Sequence, residues 1–203
     1  KFAWDDALLL DDQLSEEERQ IRDSTANFAQ AELMPRILKW NREETFDPDI
    51  MKEFGSLGIL GATIPDYGCA GIGRVAYGLA CRELERVDTA FRSAVGVQTG
   101  LAMSAIYDFG SAEQKDRFLP GMRDGSLIGC FGLTEPDHGS DAGALQTRAK
   151  SCDGGYKLNG TKVWITHSPV ADILIVWARD DSGSIGGFLL ERGMEGLETP
   201  KIE

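Results

Sequence analysis

At 203 residues, 42% hydrophobic and 27% charged, the chain has the size and composition of a soluble globular protein with one large or two small domains. Its 33 acidic against 21 basic side chains give a net charge of -12, which excludes nucleic acid as a partner because phosphate contacts need a basic surface. No apolar run approaches the roughly 20 residues that cross a bilayer, so no membrane partner is expected, and the opening residues read as neither a secretory signal nor an Arg-rich transit peptide.

The first half reads as helices. Ser15-Glu16-Glu17-Glu18 is a capping box, after which Ile21, Thr25, Phe28, Ala29 and Leu33 recur on one helical face, with Pro35 expected to interrupt or kink the helix. Asp47-Pro48 marks a second helix start, with Met51, Phe54 and Leu57 as its buried face. Helical patterns follow over 75–87 and 95–107. Ser111-Ala112-Glu113-Gln114 is another capping box, opening a short helix expected to end near Pro120-Gly121. Beyond Leu127 the pattern changes to short apolar stretches, 128–133, 146–149, 156–158, 162–165, 173–178 and 187–190, separated by turn residues such as Asp153-Gly154-Gly155 and Asn159-Gly160. The expected fold class is α+β: an N-terminal all-α domain over 1–126, then a small antiparallel β-domain, sandwich or barrel, over 127–203. Cys69, Cys81, Cys130 and Cys152 lack metal spacing and are read as reduced, implying a reducing compartment; His138 and His167 form no ligand pattern, so no metal is expected.

The stretch Cys130-Phe131-Gly132-Leu133-Thr134-Glu135-Pro136-Asp137-His138-Gly139-Ser140-Asp141 concentrates turn residues, hydroxyls and backbone N–H groups behind an apolar run. Gly132 and Gly139 lack a Cβ and so permit close backbone approach to a ligand, and Thr134 and Ser140 offer hydroxyls. On composition alone an ordinary turn-rich connection explains it equally well. Glu135 is read as a turn or capping group, and His138 as a turn residue facing solvent. Arg92-Ser93 is read as closing a helix–loop segment, with Glu85 one or two turns earlier able to hold the guanidinium. A five-donor planar fork suits a carboxylate, whereas the plainer alternative is a surface Arg pairing with Asp88 or Glu85.

Leu133-Thr134-Glu135-Pro136 followed by Gly139-Ser140-Asp141, with Trp164-Ile165-Thr166 further on, resembles the flavin-binding signature of the acyl-CoA dehydrogenase family. Arg82-Glu83-Leu84-Glu85-Arg86-Val87-Asp88 leading into Phe91-Arg92-Ser93, the run Ile64-Pro65-Asp66-Tyr67-Gly68-Cys69-Ala70-Gly71 and the opening Phe2-Ala3-Trp4-Asp5-Asp6 are similar to its glutaryl-CoA dehydrogenase branch. The resemblance implies FAD as cofactor. Phe131, Gly132, Leu133 and Thr134 would run along the pyrimidine edge, Gly139 and Ser140 would reach the pyrophosphate and thioester region, Trp164 would lie on the isoalloxazine, and Ile165 and Thr166 would sit near N5. Without that companion motif, Trp164 reads as a core aromatic on a strand. Asp137 stands where this branch often carries Asn. The resemblance assigns Arg92 and Ser93, with Glu85 behind them, to the distal carboxylate of glutaryl-CoA. It places the catalytic base, a Glu, on a C-terminal helical domain, so no catalytic residue is named here and the chain is expected to be a fragment. It further implies oxidative decarboxylation to crotonyl-CoA and CO2, electron-transfer flavoprotein as acceptor, a homotetramer, and a bacterial cytoplasmic or mitochondrial matrix location. The alternatives are another acyl-CoA dehydrogenase, an oxidase, or a non-catalytic fragment or assembly module.

Overall fold

A computed structural model describes residue 4 and residues 6–201; of the opening motif, Phe2, Ala3 and Asp5 lie outside the described residues. Helix α1 (Glu16–Phe28) starts on the capping box: Glu18 N–H donates to Ser15 Oγ at 3.2 Å and the Glu18 carboxylate accepts from Ser15 N–H at 2.8 Å. It does not stop at Pro35. A π-helical turn, Ala29–Leu33, leads into α2 (Met34–Glu43), and Met34 N–H reaches back to the Ala29 carbonyl. The wider turn accommodates a residue that has no N–H and whose ring would crowd an α-helical carbonyl four residues earlier.

Helix α3 (Ile50–Ser56) begins two residues later than the Asp47-Pro48 signal predicts: Asp49 is its N-cap position, and Asp47 accepts from Asp49 N–H at 3.0 Å in the turn that precedes it. Helix α4 (Arg74–Glu85) is followed by α5 (Thr89–Gly96), capped by Asp88. A second π segment, Val97–Met103, carries α5 into α6 (Ser104–Phe109), so that 89–109 is one helical run. Helix α7 (Ala112–Arg123) opens on the second capping box and continues past Pro120 to Arg123. Burial of Phe118, Leu119 and Met122 outweighs the one hydrogen bond Pro120 cannot make.

The strands are β1 (Gly129–Gly132), β2 (Arg148–Cys152), β3 (Gly155–Asn159), β4 (Ile173–Arg179) and β5 (Ile185–Glu191). The sheet is mixed rather than wholly antiparallel: β4 runs parallel to β1 and touches β2 in parallel, while β2–β3 and β4–β5 are antiparallel. The long connection between β1 and β4 supplies the crossover that parallel pairing requires. Residues 162–165, expected as a strand, are not one, because Trp164 (φ 59°) and His167 (φ 70°) turn the chain into the left-handed region. Strand β2 starts at Arg148, later than expected, since the N–H groups of Gln146 and Thr147 are already engaged by Glu135.

Alternation along β4 gives the sheet two buried faces. Ile173 and Ile175, with Trp177, pack on Ala102, Met103, Phe118, Leu119 and Met122 of the helices; Leu174, with Val176, faces Cys130 and Ala171 on the other side. A third cluster around Phe54, Leu33, Leu84 and Phe91 fills the helical part, where a fully buried side chain of this size contributes about 2–3 kcal/mol. After α7 the backbone of Gly125 (φ 72°) lies against α3, and a Cβ there would overlap the Met51 carbonyl. Gly125→Ala combines a forced positive φ with that clash and should lower unfolding free energy by about 3 kcal/mol or more, read as a shift in denaturant midpoint at unchanged m.

Candidate active site

The Thr134 loop is organised from within by Glu135. The residue is buried, and its carboxylate accepts from Gln146 N–H (2.6 Å), Thr147 N–H (2.9 Å), the Thr147 hydroxyl (2.5 Å) and Lys162 Nζ (2.8 Å). Burial pushes this carboxyl upward, but the bonds from Lys162, Thr147 and the two backbone amides prevail and hold it at about 2. A carboxylate so occupied and so acidic is a structural anchor, not a proton acceptor. Glu135 and His138 close a tight turn by exchanging backbone hydrogen bonds at 3.1 and 3.2 Å, which sets Pro136 and Asp137 outward.

Lys162 joins this loop to the second motif. Its ammonium donates to the Leu133 carbonyl (2.9 Å) as well as to Glu135, and the next residue, Val163, donates its N–H to the Thr134 carbonyl at 3.0 Å. Thr134 and Trp164 are thereby held on adjacent strips of backbone. Trp164 is 74% exposed, a bulky side chain kept at positive φ with its ring turned to solvent. The core-aromatic reading of this residue is therefore excluded. Among the described residues, the N–H groups of Thr134, Trp164, Ile165 and Thr166 and the hydroxyls of Thr134, Ser140 and Thr166 donate to nothing in the chain. The buried indole N–H of Trp177, packed 5.7 Å from the Phe131 ring, also lacks an acceptor. A methyl at Gly132 would come into contact with the Ile175 carbonyl and Val176 Cγ2 at 3.4 Å, whereas Gly139 faces open space.

Arg92 and Ser93 do not close a loop; they lie inside α5. Arg92 Nε donates to Glu85 at 2.7 Å across the α4–α5 junction, and Glu85 also accepts the Thr89 hydroxyl at 2.5 Å. The Thr89 bond first, and then Arg92, hold the Glu85 carboxyl below its ordinary value. Arg92 is half-exposed, and its two terminal amino groups carry no bond among the described residues. Neither hydrogen bond nor ring contact links this group directly to the Thr134–Trp164 pair.

The chain belongs to the acyl-CoA dehydrogenase family: the model described as "Acyl-CoA dehydrogenase, N-terminal domain" matches residues 15–126, and "Acyl-CoA dehydrogenase, middle domain" matches residues 130–203. Two solved structures of glutaryl-CoA dehydrogenase from Mycobacterium smegmatis are similar to it. One, in complex with FADH2, shares 44% identity at a TM-score of 0.93, covering 95% of this chain and 50% of that one; the other shares 47% at 0.94, covering 98% and 51%. The mitochondrial isovaleryl-CoA dehydrogenase of Pongo abelii is 36% identical over 93% of this chain and 47% of its own. The chain thus spans about half the length of the relatives it matches.

Two residues with long-range polar contacts in this region, Lys162 and Gln98, carry no motif in the sequence. Lys162 falls inside the expected strand 162–165, and a Lys between Thr161 and Val163, two residues after Asn159-Gly160, gives no sign of its partner. Gln98 was passed over in a small, apolar helical stretch, where a lone amide was itself the available signal.

Proposed function

We propose that residues 1–126 and 127–203 are the helical and β-domains of an FAD-dependent acyl-CoA dehydrogenase that acts on glutaryl-CoA. The observation that carries the cofactor is the row of unpartnered donors on Thr134, Trp164, Ile165 and Thr166 beside an exposed indole. A flavin offers what those groups lack: carbonyl and ring-nitrogen acceptors on a flat aromatic body. Phe131, Gly132, Leu133 and Thr134 would hold its pyrimidine edge, Trp164 its face, Ile165 and Thr166 the N5 side, and Gly139 and Ser140 the phosphate side. When bound, FAD supplies a two-electron acceptor for the β-hydride of an acyl thioester.

The chain's own residues then place the substrate. Arg92, oriented by Glu85 and flanked by Ser93, takes the distal carboxylate of the diacid, and Ser140 lies toward the thioester. A free guanidinium would be poorly matched to a plain hydrocarbon tail. Loss of the α-proton and β-hydride leaves an enoyl thioester whose γ-carbon carries the carboxylate. Release of CO2 then sends its electron pair into the thioester carbonyl, and reprotonation gives crotonyl-CoA. Glu135 is unavailable as the α-proton base, and no residue of this chain is assigned that role. Electron-transfer flavoprotein as the acceptor, a homotetramer, and a bacterial cytoplasmic or mitochondrial matrix location complete the proposal; among the described residues, no helix is long and apolar enough to cross a membrane.

The full-length protein should purify yellow or take up FAD, and glutaryl-CoA should bleach its visible band at lower concentration than isovaleryl-CoA or butyryl-CoA. The similarity to isovaleryl-CoA dehydrogenases motivates the second of these. A reversed preference reassigns the substrate, and a colourless protein that takes up no flavin rejects the reading.

A further inference from the structure

The two strips that face the proposed cofactor share a polar link to the helical part at one backbone unit, Gly129. Its N–H donates to Gln98 Oε1 at 2.7 Å, and its carbonyl meets His167 Nδ1 at 3.1 Å. Since a carbonyl only accepts, Nδ1 carries the proton. Gly129 opens β1, two residues before Phe131, and His167 directly follows Thr166, so this unit sits at the root of both strips. Gln98 is fully buried in the π segment and saturated: its Nε2 donates to the carbonyls of Met122 (2.9 Å) and Leu127 (2.8 Å). The backbone approaches closely here, because a Cβ on Gly129 would fall 2.6 Å from Met122 Cε and 2.7 Å from Ala102 Cβ. His167 is itself buried at positive φ, with its ring 5.8 Å from Phe46. Thus α7 and β1 meet at a single side-chain amide carried by a π-helical turn, a helix distortion frequent at functional sites, and the Trp164 strip joins them one bond further on, at the Gly129 carbonyl.

We propose that Gln98 is a positioning residue for the flavin, fixing through Gly129 and His167 the separation of the Phe131 and Trp164 strips; this rests on the FAD reading above. A Leu at 98 has similar bulk and makes none of the three bonds, leaving buried partners unmet.

The test uses the full-length protein with FAD as probe. Gln98→Leu should weaken FAD binding about tenfold or more and displace the visible absorption bands of the flavin that remains bound. His167→Leu should do the same by cutting only the second link, which covers the case in which Gln98→Leu does not fold. His167→Asn, with a side-chain N–H available near the Nδ1 position and tolerance of positive φ, should restore both readouts. If His167→Leu, and Gln98→Leu where it folds, merely melt earlier while FAD affinity and spectrum match the parent, the residues are structural and the proposal fails. A parent protein that takes up no FAD overturns this inference and the functional reading together.

Discussion

Replacing Arg92 by Ala in the full-length protein should raise KM for glutaryl-CoA about tenfold to a hundredfold, while KM for butyryl-CoA moves less than about threefold. The asymmetry follows from geometry. Glu85 occupies only the Nε edge of the guanidinium, and Thr89 fixes Glu85 in turn, so the fork is held in place with its two terminal amino groups free. A distal carboxylate can use them; a methyl terminus cannot. Arg92→Lys keeps the charge but loses the fork and should fall between parent and Ala. Equal losses on the two substrates would sink the diacid assignment and return Arg92 to the plain surface pair with Glu85.

The second large effect is expected at Lys162. Its side chain is 10% exposed and that of Glu135 is 4% exposed, so Lys162→Met strands a buried carboxylate and should cost about 3–5 kcal/mol, with FAD binding lost as Leu133 and Thr134 loosen from Val163. Glu135→Gln added to Lys162→Met removes the stranded charge and should recover part of the stability; a double variant no better than the single would show that the ion pair is not the source. The pH dependence has a definite sign. Because the Glu135 carboxyl is held at about 2, below its ordinary 4.5, the unfolded chain binds the proton more readily. Its contribution is complete above about pH 4.5 and is lost as pH falls toward 2. Glu135→Gln should flatten that part of the acid unfolding curve, measured by thermal melts across the window.

Local signals carried much of the fold. Ser15 and Ser111 announced their helices because a capping box is written within four consecutive residues, and β4 stood out because its apolar run is buried on both faces. What failed depended on distant partners. Val163-Trp164-Ile165 has strand composition, yet positive φ at Trp164 and His167 makes it a turning strip; Gln146 and Thr147 would extend β2 had a carboxylate eleven and twelve residues earlier not taken their amides. Arg92-Ser93, expected to close a helix–loop segment, lie instead inside a helix that Asp88 caps at its start. For the site, the family resemblance implied that Thr134 and Trp164 face one cofactor, and the Val163–Thr134 bond sets their two strips of backbone side by side. The hydrogen bonds of Lys162 and Gln98 reach across 27 and 31 residues to Glu135 and Gly129, a range at which pattern alone is silent.

The uninterrupted run from α5 through its π segment into α6 limits how such a protein can diversify. Arg92 and Gln98 ride on the same rod, six positions apart, and inserting or deleting one residue between them would swing one against the other by about 100°. On the proposed substrate assignment, new acyl preferences are open to lineages by exchanging side chains at 92 and 93, while changes of length in this stretch are closed to them.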